Sequence, residues 1–270
     1  MVITAFLWSI AGLFIKFITW NPFNIAFMRS LIAVFFIFIA IRKINFKFSF
    51  PMVAAGVANS LTMILFVTAN KTTSAANAIL LQYMAPVITV FLGFFILKEK
   101  IYFYNIISVI LIIAGIIIMF FDKLSYGNVT GNILAVISAF TFSLYFIFLR
   151  MQKDGSTIES VLLSHVLTVL VCFLISLFFP FPELSIVSIT SVLVLGIFQI
   201  GLSSILLSIA IKKISAVTAN LIAVIEPVFN PIWVFVVIKE KPGINTILGG
   251  LLIIISVMLS TLITSKRNSI

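Results

Sequence analysis

Apolar runs of span length, separated by short polar breaks, recur along the whole chain. They fall at about 2–19, 24–41, 50–69, 76–97, 103–121, 131–150, 160–179, 187–210, 216–238 and 244–264. At a rise of about 1.5 Å per residue, each is long enough to cross a hydrocarbon core of about 30 Å as a helix. Lipid leaves backbone polar groups no outside partner, so helices are the expected form. A β-barrel would show alternating segments of about ten residues, and none stands out. Breaks such as TWNPFN, FFDKLSYGNVTGN and FFPFPEL carry the Pro, Gly and Asn that turns use. The pattern predicts an all-α membrane protein with ten transmembrane helices.

Composition agrees. Hydrophobic residues make up 63% of the chain and charged residues 9%, whereas soluble domains carry roughly a quarter charged. The 29 phenylalanines suit lipid-facing and packing roles. The formal charge of +10 comes from bases scattered singly or in pairs between apolar runs. With no basic stripe or domain, they read as topology signals and not as a nucleic-acid surface. Cys172 is the single cysteine, so no intramolecular disulfide forms and a structural thiol is expected. The first run begins directly after Met1 without a basic leader, which reads as a span. With both termini in the cytoplasm, cytoplasmic segments hold eleven Lys and Arg and outer loops five. That bias predicts a multi-pass protein of the cytoplasmic membrane with that orientation, ending in a short tail, 266–270.

The chain also repeats itself. Residues 69–100 and 210–241, offset by 141, share twelve identities without a gap, including Pro86/Pro227 and the triplet KEK at 98–100 and 239–241. VITAFLWS at 2–9 matches VISAFTFS at 136–143 with an offset of 134. The division is therefore 1–122 and 131–265, five spans in each. An odd number of spans forces the second copy to enter upside down. Two inverted five-helix repeats around a central cavity are a transporter pattern, with substrate near the midplane.

At these residues the chain resembles a known family. AANAILLQYMAPVITVFLGFFILKEKI and TANLIAVIEPVFNPIWVFVVIKEKPGINTILGGLLIIISV resemble the closing parts of two EamA domains. AFLWSIAGLFIKFI and NPFNIAFMRSLIAV are similar to the first two spans, with Trp8 and Arg29 in place. The resemblance covers nearly the whole chain. It implies the drug/metabolite transporter superfamily, a ten-helix fold around a cavity, and small metabolites such as amino acids as cargo, mostly exported. Phe142 stands where a second Trp8 would be, and His165 lies near where a second Arg29 would fall.

Polar residues inside the spans are the candidate chemistry. Glu226 in AVIEPVF lies near mid-span, where a carboxylate must face a cavity or a partner. It either handles a proton or substrate or is a protonated interhelical bond. Arg29 either binds a substrate carboxylate or snorkels or fixes a helix contact. His165 is the only histidine, and either titrates or packs. Pro86 and Pro227 are expected to kink their helices and free the carbonyls of Gln82 and Ala223. Trp8, Ser9, Asn59, Asn77, Gln82, Tyr83, Tyr145, Gln199, Asn220 and Asn230 are candidates to line a partly polar cavity, with interhelical hydrogen bonding the alternative for each. Glu99 and Glu240, at equivalent helix ends, are candidate gate charges. No phosphate loop, metal spacing or nucleotide domain is seen, so no enzyme, cofactor or metal is expected.

Two functions follow. One is a secondary transporter of small organic solutes, exporting by alternating access with or without proton coupling. The other is a non-transporting membrane scaffold or sensor. The expected partners are a small-molecule substrate and the lipid bilayer, with the chain a monomer or homodimer.

Overall fold

The structure is a computed structural model of the chain. It describes every residue outside 42–43, 45, 74, 101, 122–127, 154–156, 181, 240–242 and 269–270. Within helices it sets aside the side chains of 12, 16, 70–71, 75–76, 230–231, 234, 238, 261 and 264–268. Helices dominate, and no strand occurs among the described residues. In order they are α1 (Val2–Ser9), α2 (Ala11–Lys16), α3 (Pro22–Ala40), α4 (Phe50–Thr72), α5 (Ala75–Gln82), α6 (Ala85–Leu97), α7 (Phe103–Phe120), α8 (Val129–Met151) and α9 (Thr157–Ser176). Then come α10 (Ile186–Val194), a π-helical segment (Leu195–Leu202), α11 (Ser203–Ala210), α12 (Ala216–Ala223), α13 (Glu226–Ile238) and α14 (Ile244–Asn268).

Among the described residues, seven helical stretches are long and apolar enough to cross a membrane: Pro22–Ala40, Phe50–Ala69, Asn77–Leu97, Phe103–Phe120, Val129–Met151, Thr157–Ser176 and Ile186–Ala210. Three shorter apolar stretches accompany them, Val2–Ile15, Ala216–Phe229 and Ile244–Ser260. The surface has the character of a membrane protein. Phe50, Phe95, Phe103 and Phe178 are all more than 70% exposed, while Thr4, Ser9, Ser30, Ser143 and Ser160 are fully buried. Lipid solvates large apolar side chains, so small and hydroxyl residues are left to make the close helix contacts.

Caps mark where the helices start. Asn21, Ser49, Asn128, Ser185 and Ser215 each accept a backbone N–H from the first turn of α3, α4, α8, α10 and α12. These contacts satisfy donors that the helix itself leaves open. One interior cluster joins α3, α4, α8, α9, α11 and α12 through Ile37, Phe146, Leu162 and Leu207. A second joins α6, α7, α12, α13 and α14 through Ile112, Ile116, Leu221 and Ile253. α12 contributes to both, so it lies where the two clusters meet. α7 and α14 run together at close range. A Cβ on Gly249 would lie 2.3 Å from the Gly115 carbonyl oxygen, a backbone atom that cannot turn away.

The repeat is visible in the helix bounds. α5, α6 and α7 begin at Ala75, Ala85 and Phe103, and α12, α13 and α14 each begin 141 residues later, at Ala216, Glu226 and Ile244. α6 and α13 also stop the same way. Lys98 and Lys239 take the left-handed conformation, φ 54° and 65°, and are the non-glycine residues with positive φ among those described. Each helix thus ends in a left-handed cap at the first lysine of its KEK, a position usually given to glycine.

Candidate functional site

Pro86 and Pro227 interrupt their spans in one way. α5 stops at Gln82 and α6 starts at Ala85, with Tyr83 and Met84 between them; α12 stops at Ala223 and α13 starts at Glu226, with Val224 and Ile225 between. Proline has no N–H, and its ring crowds the carbonyl four residues back. The helix responds by tightening. Met84 N–H bonds to Leu81 O at 3.2 Å and Ile225 N–H to Ile222 O at 3.1 Å, both three residues back. Met84 and Ile225 keep right-handed backbone angles. The sequence predicts a kink at each proline. What forms is a two-residue break, after which each proline sits in the first turn of a new helix, where a missing N–H costs nothing.

The two breaks meet through side chains. The Tyr83 hydroxyl, from the first break, donates a hydrogen bond to the Glu226 carboxylate, which opens the helix after the second break. Arg29 of α3 is close enough for its charge to act on Glu226, His165 and Cys172. Among the described residues Arg29 and Glu226 do not close an ion pair, and Arg29 Nε is buried with no hydrogen-bond partner. His165 on α9 uses Nε2 against Ser204 Oγ at 2.9 Å and leaves Nδ1 buried and unpartnered. Gln199 lies in the π-helical segment that packs against α3, and its buried Oε1 is also unpartnered. π-helical turns are rare and often coincide with functional positions. Here the close approach of α3 matters, since a Cβ on Gly196 would meet Ile32 at 2.6 Å.

The other intramembrane candidates are engaged between helices. Trp8 Nε1 donates to Ser203 Oγ at 2.9 Å, and Trp233 Nε1 donates to Ser9 Oγ at 2.9 Å. Asn59 donates to Ser164 at 2.9 Å, Gln82 to Ser138 at 3.1 Å, and Asn220 to Thr89 at 2.7 Å. Tyr145 belongs to the first interior cluster, and Asn77 is buried. The Asn230 side chain and all of Glu240 lie outside the described residues. Trp8 and Phe142, matched by the offset of 134, pack together with ring centroids 6.2 Å apart. Trp233 was not among the sequence candidates; the signal available was an indole in the second broken helix where the first copy has Leu92.

Two cavities open at one end of the bundle, away from the breaks. One, of about 290 Å³, is lined by Thr19, Trp20, Asn21, Pro180, Pro182 and Glu183. The other, of about 260 Å³, continues past Trp20 to Asn24, Phe27, Met28 and Phe173. Trp20 Nε1 donates to Glu183 O at 2.7 Å between them. Elsewhere in the bundle Glu99 follows α6, and its Oε1 accepts the Ala216 N–H at 3.2 Å and lies 3.8 Å from Arg150 Nε.

The sequence profile described as the EamA-like transporter family matches residues 1–121 and 129–262. An uncharacterized transporter of Methanothermobacter thermautotrophicus is 26% identical over 96% of this chain and 77% of its own length. An uncharacterized transporter of Clostridium kluyveri is also 26% identical, over 93% of this chain and 86% of its own. A protein solved by crystallography superimposes with a TM-score of 0.87 over 98% of this chain and 96% of that one, at 19% identity. That likeness establishes a shared fold.

Proposed function

The chain belongs to the EamA-like transporter family, and we propose that it is a secondary transporter that exports small amphipathic metabolites, amino acids or similar solutes, by alternating access. In this reading the seven long and three shorter apolar stretches are ten transmembrane helices. Residues 1–122 and 131–265 are two five-helix repeats, inverted with respect to each other, with both termini in the cytoplasm.

The observation that carries the reading is the meeting of the two breaks through Tyr83 and Glu226, with the open donor of Arg29 nearby. Intramembrane charges are costly and are kept where they serve a pathway or a partner. A guanidinium that neither pairs with the neighbouring carboxylate nor fills its buried Nε donor is suited to an arriving carboxylate, which it can hold with two parallel hydrogen bonds. Glu226 faces the cationic part of a zwitterion, or takes a proton in its place, which would couple export to a proton gradient. Gln199 Oε1 and His165 Nδ1 add open polar atoms on the π-helical and α9 sides. Asn59, Gln82 and Asn220, each bonded to a hydroxyl of a neighbouring helix, hold the walls.

Purified protein in liposomes tests this. Uptake of a solute from an amino-acid and metabolite panel, saturable and reduced in Arg29→Ala, is the expected result. No movement of any panel member, with or without a pH gradient, would favour the scaffold or sensor reading.

A further inference from the structure

The residues around Glu99 tie together parts of the chain that are far apart in sequence. Lys98 turns the chain back at the end of α6, so that the Lys98 and Glu99 N–H groups both reach the Gly93 carbonyl. This aims the Glu99 side chain at the start of α12. There Ser215 Oγ takes the Thr218 N–H at 3.0 Å, and Glu99 takes backbone N–H groups of Ala216 and Val217. The first donors of α12 are thereby satisfied, with a negative charge at the positive end of the helix. Arg150, at the end of α8, approaches Glu99 with Nε and donates Nη1 to the carbonyls of Ile211 and Lys212 at 2.8 and 2.7 Å. Those carbonyls end α11. One carboxylate and one guanidinium thus join the ends of α6, α8 and α11 and the beginning of α12.

We propose that Glu99 and Arg150 form a latch that closes this end of the bundle by joining the first half of the chain to the second, and that its release opens this end to the central site. The gating role rests on the transport reading; the latch itself does not. The two cavities lie at the end marked by Trp20 and Pro180, and no residue of the Glu99 network lines either of them.

The latch is built to be reversible. Glu99 Oε2 is buried without a hydrogen-bond partner, so part of the charge is desolvated without return. A partly buried pair of this kind gains little net stability. Burial pushes the Glu99 carboxyl above its ordinary range, against the opposite pulls of the Ala216 N–H and Arg150. The charges around it are Arg150 of α8, Lys153 just beyond, Lys98 and Lys100 beside it in sequence, and Lys212 and Lys213 in the turn before α12. A closed form that holds its proton more tightly than an open, solvated form gains stability as pH falls. It loses that stability as pH rises through the closed-state value.

Spin labels at Lys100 and Lys213, both exposed, on a Cys172→Ala background in nanodiscs measure the opening directly. The expected result is a short distance at low pH that gives way to a longer one as pH rises. Glu99→Gln keeps an acceptor for α12 without the charge and is expected to stay short at every pH. Glu99→Ala removes the acceptor and is expected to be long throughout. An unchanged single distance in wild type and Glu99→Ala would overturn the latch. If Glu99→Ala does not fold, the same pH response in Glu99→Gln as in wild type would overturn it. No solute is needed, so the outcome is independent of the uptake assay.

Discussion

The two broken helices share a backbone and differ in chemistry. Both stop and restart at matched positions, both place proline in the first turn after the break, and both end on a left-handed lysine. Yet the first carries Gln82, Tyr83 and Ala85 where the second carries Ala223, Val224 and Glu226. Tyr83 and Glu226 then face each other. Features that set backbone direction recur in both copies, while groups that meet at the centre occur once each. In the proposed inverted-repeat reading, a site between the halves needs a donor from one side and an acceptor from the other, which identical copies would not supply.

Six substitutions probe this comparison. Gly249→Val should have the largest effect, because a Cβ already collides with the Gly115 carbonyl. A loss of more than about 3 kcal/mol, or of monodisperse protein, is expected in thermal unfolding and size exclusion. Ala85→Glu imports the second copy's acid into the first, where Ala85 is buried. A partnerless carboxyl should cost about 3 kcal/mol; if it is tolerated, the asymmetry has no structural basis. Glu226→Gln should lower transport at least about tenfold, the equivalent of 1.4 kcal/mol in the barrier. It should shift the melting temperature little. Normal transport with normal pH dependence would remove Glu226 from the mechanism. Tyr83→Phe deletes one hydrogen bond, about 1 kcal/mol, and should slow transport about fivefold. Lys98→Gly and Lys239→Gly should each leave the fold intact and stabilise by up to about 1 kcal/mol, because glycine enters the left-handed region freely. Opposite signs at the two positions would show that the matching caps do different work.

Much of the helix pattern could be read in the sequence because lipid imposes a simple rule on length and polarity. The KEK repeat pointed to two equivalent helix ends, and both begin with the same left-handed lysine. Pro86 and Pro227 marked the interruptions, where the chain tightens for one turn. The site was less legible. Asn59, Gln82 and Asn220 look like cavity residues by type, but each finds a hydroxyl on a neighbouring helix. Which partner a polar group meets depends on how helices are rotated and crossed, and this is not written in local periodicity. The π-helical segment was also unforeseen, although Gly196 and Gly201 flank Gln199 within it. Its geometry answers the tight approach of α3, a tertiary constraint.

The most direct test of the central claim is transport by wild type and Glu226→Gln in proteoliposomes, with the solute loaded at equal concentration on both sides and a pH gradient imposed. Solute accumulation by the wild type that follows the gradient, and no net accumulation by Glu226→Gln, is the predicted result. Equal accumulation by the two proteins, or none by either with every solute tried, would contradict a proton-coupled export site at the meeting of the two breaks.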